Sequence, residues 1–362
     1  MAIKGGSTKQ ERKMRHNEKP SRKSFVLTIV VTASPSPLNP STVILQELLL
    51  SLRFLKLPAQ NPVLLSHDGP RLAPSALEHP HSPGVQFPQR YMQYLARVEA
   101  LSPAAAACTG LDIRLLLRAT NGMLAGNLAF AMSFVRTPFV LKVEHDHPFV
   151  RSVDALAIVR DLQSDRRLKY VRFNRRPNRR KNCDNGDYPR ALAGTEDQWI
   201  AQSLWGLHEA RSDSELRNAY TRTACFSDMN HLTSTAYYRT AILPVIIKEP
   251  KLSPENLMQD NCYIARNHSY YGTYIFDGPD APATITHLDA ALHGTGELLP
   301  GVREWLRDLR NRVRNGTEPN TQFSCRAPLF VAPALNASRA SGTYPQRVNI
   351  RSRSVPTRPS QG

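Results

Sequence analysis

Thr137-Pro-Phe-Val-Leu-Lys-Val-Glu-His-Asp-His147 is the stretch on which the fold turns. Pro138 marks its start, and the β-branched and aromatic residues from Phe139 to Val143 read as a short buried strand. Glu144, His145 and Asp146 stand at the C-terminal end of that strand. In an open α/β sheet this end faces the ligand crevice, where a Glu-x-Asp can bring two carboxylates to a divalent cation and the phosphates it carries. The plainer reading is a strand that runs out into solvent, because acid-x-acid triplets are common. The neighbouring sequence has to decide between the two.

Upstream, Phe25-Val-Leu-Thr-Ile-Val-Val is a continuous apolar run of the kind found in strands covered on both faces, and Ser34-Pro-Ser-Pro stops it. A helix follows from Asn39-Pro-Ser-Thr, with Val43, Ile44, Leu48, Leu52 and Leu55 at helical spacing. Pro62-Val-Leu-Leu-Ser-His-Asp-Gly69 is a second strand, completing a β-α-β unit. Pro70 to Pro88 reads as a long loop and Tyr91 to Leu101 as a helix. Leu111 to Leu117 is a third strand or a helical turn. Asn121 to Val135 is an Ala-rich helix leading into the Thr137 strand. This alternation predicts a mostly parallel sheet with right-handed crossovers.

Downstream, Val153 to Leu162 reads as a helix, Leu168 to Phe173 as a strand, and Asn174 to Lys181 as a basic run. Gln198 to Leu207 is a strand pair or a short helix. Thr235 to Ala241 begins a helix, and Glu255 to Asn267 forms another, opened by Ser253-Pro254. Tyr270 to Phe276 alternates like a strand and leads through Gly278 to Ile285-Thr-His-Leu288.

Composition narrows the class of protein. The chain has 362 residues, 41% of them hydrophobic, and a formal net charge of +17. Residues 1–24 carry eight Lys/Arg against two Glu, and residues 326–362 carry six Arg and no acid, so about +12 of the charge lies at the two ends. Residues 1–24 and 323–362 are therefore expected to be disordered basic tails around one folded unit, residues 25–322. Nucleic-acid binding through the tails and the Arg175–Lys181 run is a weaker alternative, because it lacks interleaved aromatics and recognition motifs. No apolar run reaches the length needed to cross a bilayer. The five cysteines form no C-x-x-C pair, which points away from a zinc site or a disulfide framework and toward a reducing, cytoplasmic setting.

With the β-α-β start, the Asn121–Asn127 helix and the strand ending in Glu144-His-Asp146, the chain resembles a GT-A-type glycosyltransferase of the family-2-like group over about residues 25–290. The resemblance implies an α/β, GT-A-like single domain with a mostly parallel, Rossmann-like sheet flanked by helices. Its nucleotide-sugar half would be about 25–150 and its acceptor half about 151–322. It also implies a nucleotide-sugar donor, a carbohydrate or glycoconjugate acceptor, and Mn²⁺ or Mg²⁺ as cofactor. By residue, it makes Asp146, Glu144 and His287 the metal ligands and Thr32, Ser34, Asp68, Asn121, Asn127 and Glu144 the donor contacts. Asp260 or Glu255 becomes the base of an inverting transfer. The chain departs from the family pattern at Glu144 for the first Asp, at Gly126-Asn127 for an Arg-Asn pair, and at Gln259 for a Glu.

Asp260 and Glu255 lie five residues apart, about 140° beyond a full helical turn, so only one of them can face the cleft. A single imidazole among carboxylates tilts the metal toward Mn²⁺. A metal-dependent hydrolase built on His145, Asp146, His147 and His287 is the rival reading. On a straight strand His145 points away from its neighbours, so that rival requires a bend.

Overall fold

The computed structural model describes residues 25–36, 38–70, 87–175, 216–222, 226–255, 257–258, 272–278, 281–288, 302–317 and 323–330. Its centre is an eight-stranded sheet in the order β3-β2-β1-β4-β7-β5-β8-β6. The strands are β1 (Leu27–Ala33), β2 (Pro62–His67), β3 (Asp112–Leu117), β4 (Phe139–Glu144), β5 (Tyr170–Arg172), β6 (Tyr220–Arg222), β7 (His231–Ser234) and β8 (Thr273–Phe276). β1 pairs in parallel with β2 and β4, and β2 with β3. β7 runs antiparallel between β4 and β5, β8 is parallel to β5, and β6 closes the edge antiparallel to β8. The expected α/β fold with a mostly parallel sheet is therefore what the chain adopts, and Leu111–Leu117 is a strand.

All seven residues of β1 are buried, because helices cover both faces of the sheet. Leu27, Ile29 and Val31 pack on one side with Leu48, Leu52, Tyr91, Val98 and Ile158. These come from α1 (Val43–Ser51) with the 3₁₀ turn after it, α2 (Phe87–Thr109) and α4 (Ala155–Ser164). Val30 and Val140 face the other side, against Leu128 and Met132 of α3 (Met123–Phe134) and Tyr238 and Ile242 of α5. Helix α5 is continuous but changes pitch, running as Thr235–Tyr237, a π-helical Tyr238–Ile242 and Leu243–Ile246.

The structure revises several expectations. Strands β6 and β7 were not read from the sequence. They are three and four residues long, too short to show an alternation of their own, and each is stabilised by strands distant in the chain. The helix read as ending at Leu101 continues through Pro103 to Thr109. Helix α6 (Val302–Arg314), also unanticipated, buries Val302, Leu306 and Leu309 against Leu38, Ile44 and Leu288.

Residues 323–330 make contacts with the rest of the described fold. Arg326 pairs with Glu47, a carboxylate of α1 with 1% of its side chain exposed, and Leu329 N donates to the same carboxylate at 2.8 Å. Phe330 lies edge-on to Trp305, and Cys325 is joined to Cys108, so two of the five cysteines are paired rather than free. Residues 1–24, residues 331–362, most of the Pro70–Pro88 loop, the basic run beyond Arg175, Gln198 to Leu207, and Gln259 and Asp260 lie outside the described residues.

Candidate active site

The parallel strands β1, β2 and β4 end on one side of the sheet, where a cleft of about 270 Å³ opens. Thr32, Ala33 and Ser34 line it from the end of β1, Asp68 from β2, Met123, Leu124 and Asn127 from α3, and Glu144, His145 and Asp146 from β4. Side chains more than a hundred residues apart meet there because adjacent parallel strands finish level with one another: Thr32 is in register with Ser66 and with Glu144.

Several of these residues build the wall with their polar atoms. Asn127 is buried, donates to Ala33 O at 3.2 Å and Ser66 O at 3.1 Å, and accepts from Ser66 Oγ at 2.6 Å. Asp68 Oδ1 accepts from Gly69 N at 3.0 Å and Gly122 N at 2.7 Å. Burial raises its pKa, against the pull of those amides and of Arg118. Asn121 Nδ2 donates to Gly69 O at 3.0 Å, and its Oδ1 accepts from Met123 N at 3.2 Å. Gly69 comes so close to this turn that a Cβ would lie 2.3 Å from the backbone of Thr120. Asp68 and Asn121 thus fasten the start of α3 to the end of β2.

Beyond β4 the chain turns sharply. His147 N donates to Glu144 O at 3.1 Å and His145 N to Thr32 O at 3.1 Å. Buried Asn230, from the segment just before β7, holds the turn by accepting from Glu144 N at 2.9 Å and donating to His147 O at 2.7 Å. The turn brings His147, but not His145, to the side of Asp146. Further on, Leu288 N donates to Asp146 O at 2.8 Å and Thr286 N to Pro148 O at 3.0 Å, so residues 285–288 run alongside residues 146–149. His287 is thereby delivered to Asp146.

The outcome is a cluster of Asp146, His147 and His287 in which one ligand atom from each lies within 4.8 Å of the others. His287 Nε2 is 3.1 Å from Asp146 Oδ2, and the two imidazole rings are 4.3 Å apart. The residues fit a divalent cation. They supply a carboxylate and two imidazoles, and among the described residues Nε2 of buried His147 makes no hydrogen bond. Burial pushes the Asp146 carboxyl up, but His147, His145 and His287 together hold it well below the usual carboxylate range. Burial likewise pulls His287 down, and its hydrogen bond to Asp146 outweighs that and raises it. Arg175 Nη1 lies 3.2 Å from His287 Nδ1 and has to move off that nitrogen when Nε2 takes a cation.

Glu144 is engaged elsewhere. Its Oε1 is 2.6 Å from Lys142 Nζ and its Oε2 is 2.8 Å from His147 Nδ1. Burial works to raise Glu144, yet Lys142 and His147 keep it at about 2. Lys142, 1% exposed, also donates to Asp228 O. Asp228 is raised to about 7, first by burial and then by the charge of Glu144. Burial raises Glu255 as well, against Arg172 and a hydrogen bond from Ser227. Glu144, in the cleft wall, is thus linked electrostatically with Asp228, Glu255, Lys142 and Arg172, of which the two cations are fully buried.

No protein-family model matches the chain, and no curated protein matches it. Solved structures are similar only at a distance. One is TarS of S. aureus, 12% identical over 80% of this chain and 43% of that one, with a TM-score of 0.36. Another is the mannosyltransferase PcManGT from Pyrobaculum calidifontis in complex with GDP-Man and Mn²⁺, 11% identical over 90% and 78%, TM-score 0.37. A third is the 4-diphosphocytidyl-2C-methyl-D-erythritol synthase of Anaerococcus prevotii, 10% identical over 78% and 96%, TM-score 0.37. The chain spans less than half the length of that TarS chain. At these scores no residue role carries over from them.

Of the residues singled out from sequence, Thr32, Ser34, Asp68, Asn127, Glu144 and Asp146 line one cleft, with Asn121 at its rim and His287 against Asp146. Glu255 lies within electrostatic reach of Glu144. His147 had been weighed only for the hydrolase, and Lys142, Asp228 and Asn230 had not been singled out. The signal for Lys142 was a lysine two residues before a glutamate inside an apolar strand, a spacing that puts both on one face. No local pattern marks Asp228 or Asn230, whose positions depend on β7 pairing with β4. Among the described residues no helix is long and apolar enough to cross a membrane.

Proposed function

We propose that the chain is a metal-dependent glycosyltransferase that moves a sugar from a nucleotide-sugar donor to a hydroxyl of a carbohydrate or glycoconjugate acceptor, with inversion. The observation that carries this reading is the meeting, at the C-terminal ends of β1, β2 and β4, of a polar cleft with the Asp146, His147 and His287 cluster. A cleft at this place in a parallel sheet suits a nucleotide. A divalent cation held there would offset the charge that develops on the leaving nucleoside diphosphate. Thr32, Ser34 and Asp68 border the cleft in which a nucleoside would sit. Addition of UDP-glucose, UDP-GlcNAc or GDP-mannose with MnCl₂ is expected to raise Tm, since a donor at about 100 times its Kd stabilises by about 2.7 kcal/mol. No change with any sugar nucleotide would remove this reading.

Inversion requires a base on the face opposite the leaving group. Glu255, raised by burial and close enough to feel the charge of Glu144, has the character of one; Asp260 is the alternative. Glu255→Gln is expected to retain donor binding and to lower kcat by about 10²–10⁴, and Asp260→Asn to leave turnover nearly normal. The opposite pattern moves the base to Asp260. Hydrolysis is a second reading, favoured by the convergence of Asp146, His147 and His287. It predicts sugar release from donor and Mn²⁺ at the same rate with and without acceptor.

A further inference from the structure

The Glu-x-Asp motif suggests two carboxylate ligands, but the geometry separates their tasks. We propose that a cation in this cleft is held by Asp146, His147 and His287, and that Glu144 does not touch it but orients His147. The proposal rests on the reading of this cleft as a metal site and adds a ligand to it and an ion preference.

Two observations carry it. One ligand atom of each of Asp146, His147 and His287 already lies within 4.8 Å of the others, with no rearrangement. Glu144 has both oxygens committed, Oε1 to Lys142 Nζ at 2.6 Å and Oε2 to His147 Nδ1 at 2.8 Å. For Glu144 to join the cation, either Oε2 would have to leave His147 Nδ1 or Oε1 would have to leave the almost wholly buried ammonium of Lys142, and the second is costly. With Nδ1 of His147 turned to Glu144, Nε2 is the nitrogen left for a cation, and it has no hydrogen-bond partner among the described residues. A carboxylate on the far nitrogen of a ligating imidazole fixes the ring and makes it a better donor. Lys142, Glu144 and His147 then form a line of contacts that ends at the ion, and Asn230 holds the turn that carries them.

The donor set sets the preference. Two imidazoles and one carboxylate suit Mn²⁺, Co²⁺ or Zn²⁺, whereas Mg²⁺ prefers oxygen throughout. The remaining positions on the ion stay open to diphosphate oxygens.

The test is calorimetric titration of the full chain with MnCl₂, ZnCl₂ and MgCl₂ alone, with wild type, His147→Ala and Glu144→Gln. Wild type should bind Mn²⁺ and Zn²⁺ more tightly than Mg²⁺. His147→Ala should lose about 100-fold or more in Mn²⁺ affinity together with that preference, and Glu144→Gln about 10–100-fold with the preference kept. A His147→Ala protein with wild-type affinity, or a Glu144→Gln protein that binds no metal, overturns the proposal. If either variant fails to fold, the electron spin echo modulation of Mn²⁺ on wild type decides. Coupling to two imidazole nitrogens supports the proposal, and one or none refutes it. Two-imidazole Mn²⁺ binding without any response to sugar nucleotides would leave this assignment standing and remove the glycosyltransferase reading. Donor binding with Mn²⁺ free of two-nitrogen coupling would do the reverse.

Discussion

Asp146→Asn is expected to abolish Mn²⁺-dependent donor binding while the protein stays folded. Asparagine keeps the shape and can still pair with His287 Nε2, now 3.1 Å from Asp146 Oδ2, but it removes the one negative charge that faces three imidazoles. The charge is what a divalent cation needs, so Mn²⁺ affinity should fall by more than the roughly 10–100-fold that an outlying partner is worth. Stability should fall without loss of the fold, because the charge of Asp146 is stabilised by its imidazoles while the strand beneath rests on apolar contacts, with Phe139, Leu141 and Val143 in the main core. Calorimetric titration with MnCl₂ and a thermal melt check the two halves of the expectation. Full Mn²⁺ affinity in Asp146→Asn would remove the metal centre from this position.

Lys142→Met is expected to have the largest effect on stability. Lys142 Nζ sits between Glu144 Oε1 and Asp228 O with 1% of its side chain exposed, and methionine fills a similar volume without the charge. Glu144 would lose the cation that does most to keep it ionised against burial, and its charge would stand beside Asp228 with that repulsion unscreened. Removing one partner of a buried pair costs about 3–5 kcal/mol. Glu144 is 19% exposed toward the cleft, so the lower end applies, about 3 kcal/mol. That corresponds to a fall in Tm of about 5 °C for a folded unit of about 300 residues. Lys142→Met combined with Glu144→Gln should recover most of the loss, because both charges are then gone. Denaturant midpoints of the single and double variants measure this, and an additive double variant would mean that the pair is not coupled.

The sequence by itself determined the half of the molecule from β1 to β4. Strands β1, β2 and β4 are continuous apolar runs and announce themselves locally, whereas β3 was open between strand and helical turn and α2 runs on to Thr109. Parallel strands then align their ends, which is why Thr32, Ser34, Asp68, Asn127, Glu144 and Asp146 could be read one by one and still fall around a single cleft. Burial in turn explains why Asn127, read as a donor contact, directs its amide group to neighbouring strand atoms.

What only the tertiary structure decided lies in the second half. β7 is four residues long and gains its stability from β4 and β5 on either side, and its pairing brings in Asp228 and Asn230. The turn at residues 144–147 and the strand-like contact with residues 285–288 decide that His147 joins Asp146 and His287. Glu144, equally acidic in sequence, is drawn instead to Lys142. A motif fixes which groups are available; which of them converge depends on backbone bonds to segments more than a hundred residues away, and these leave no periodicity in the chain.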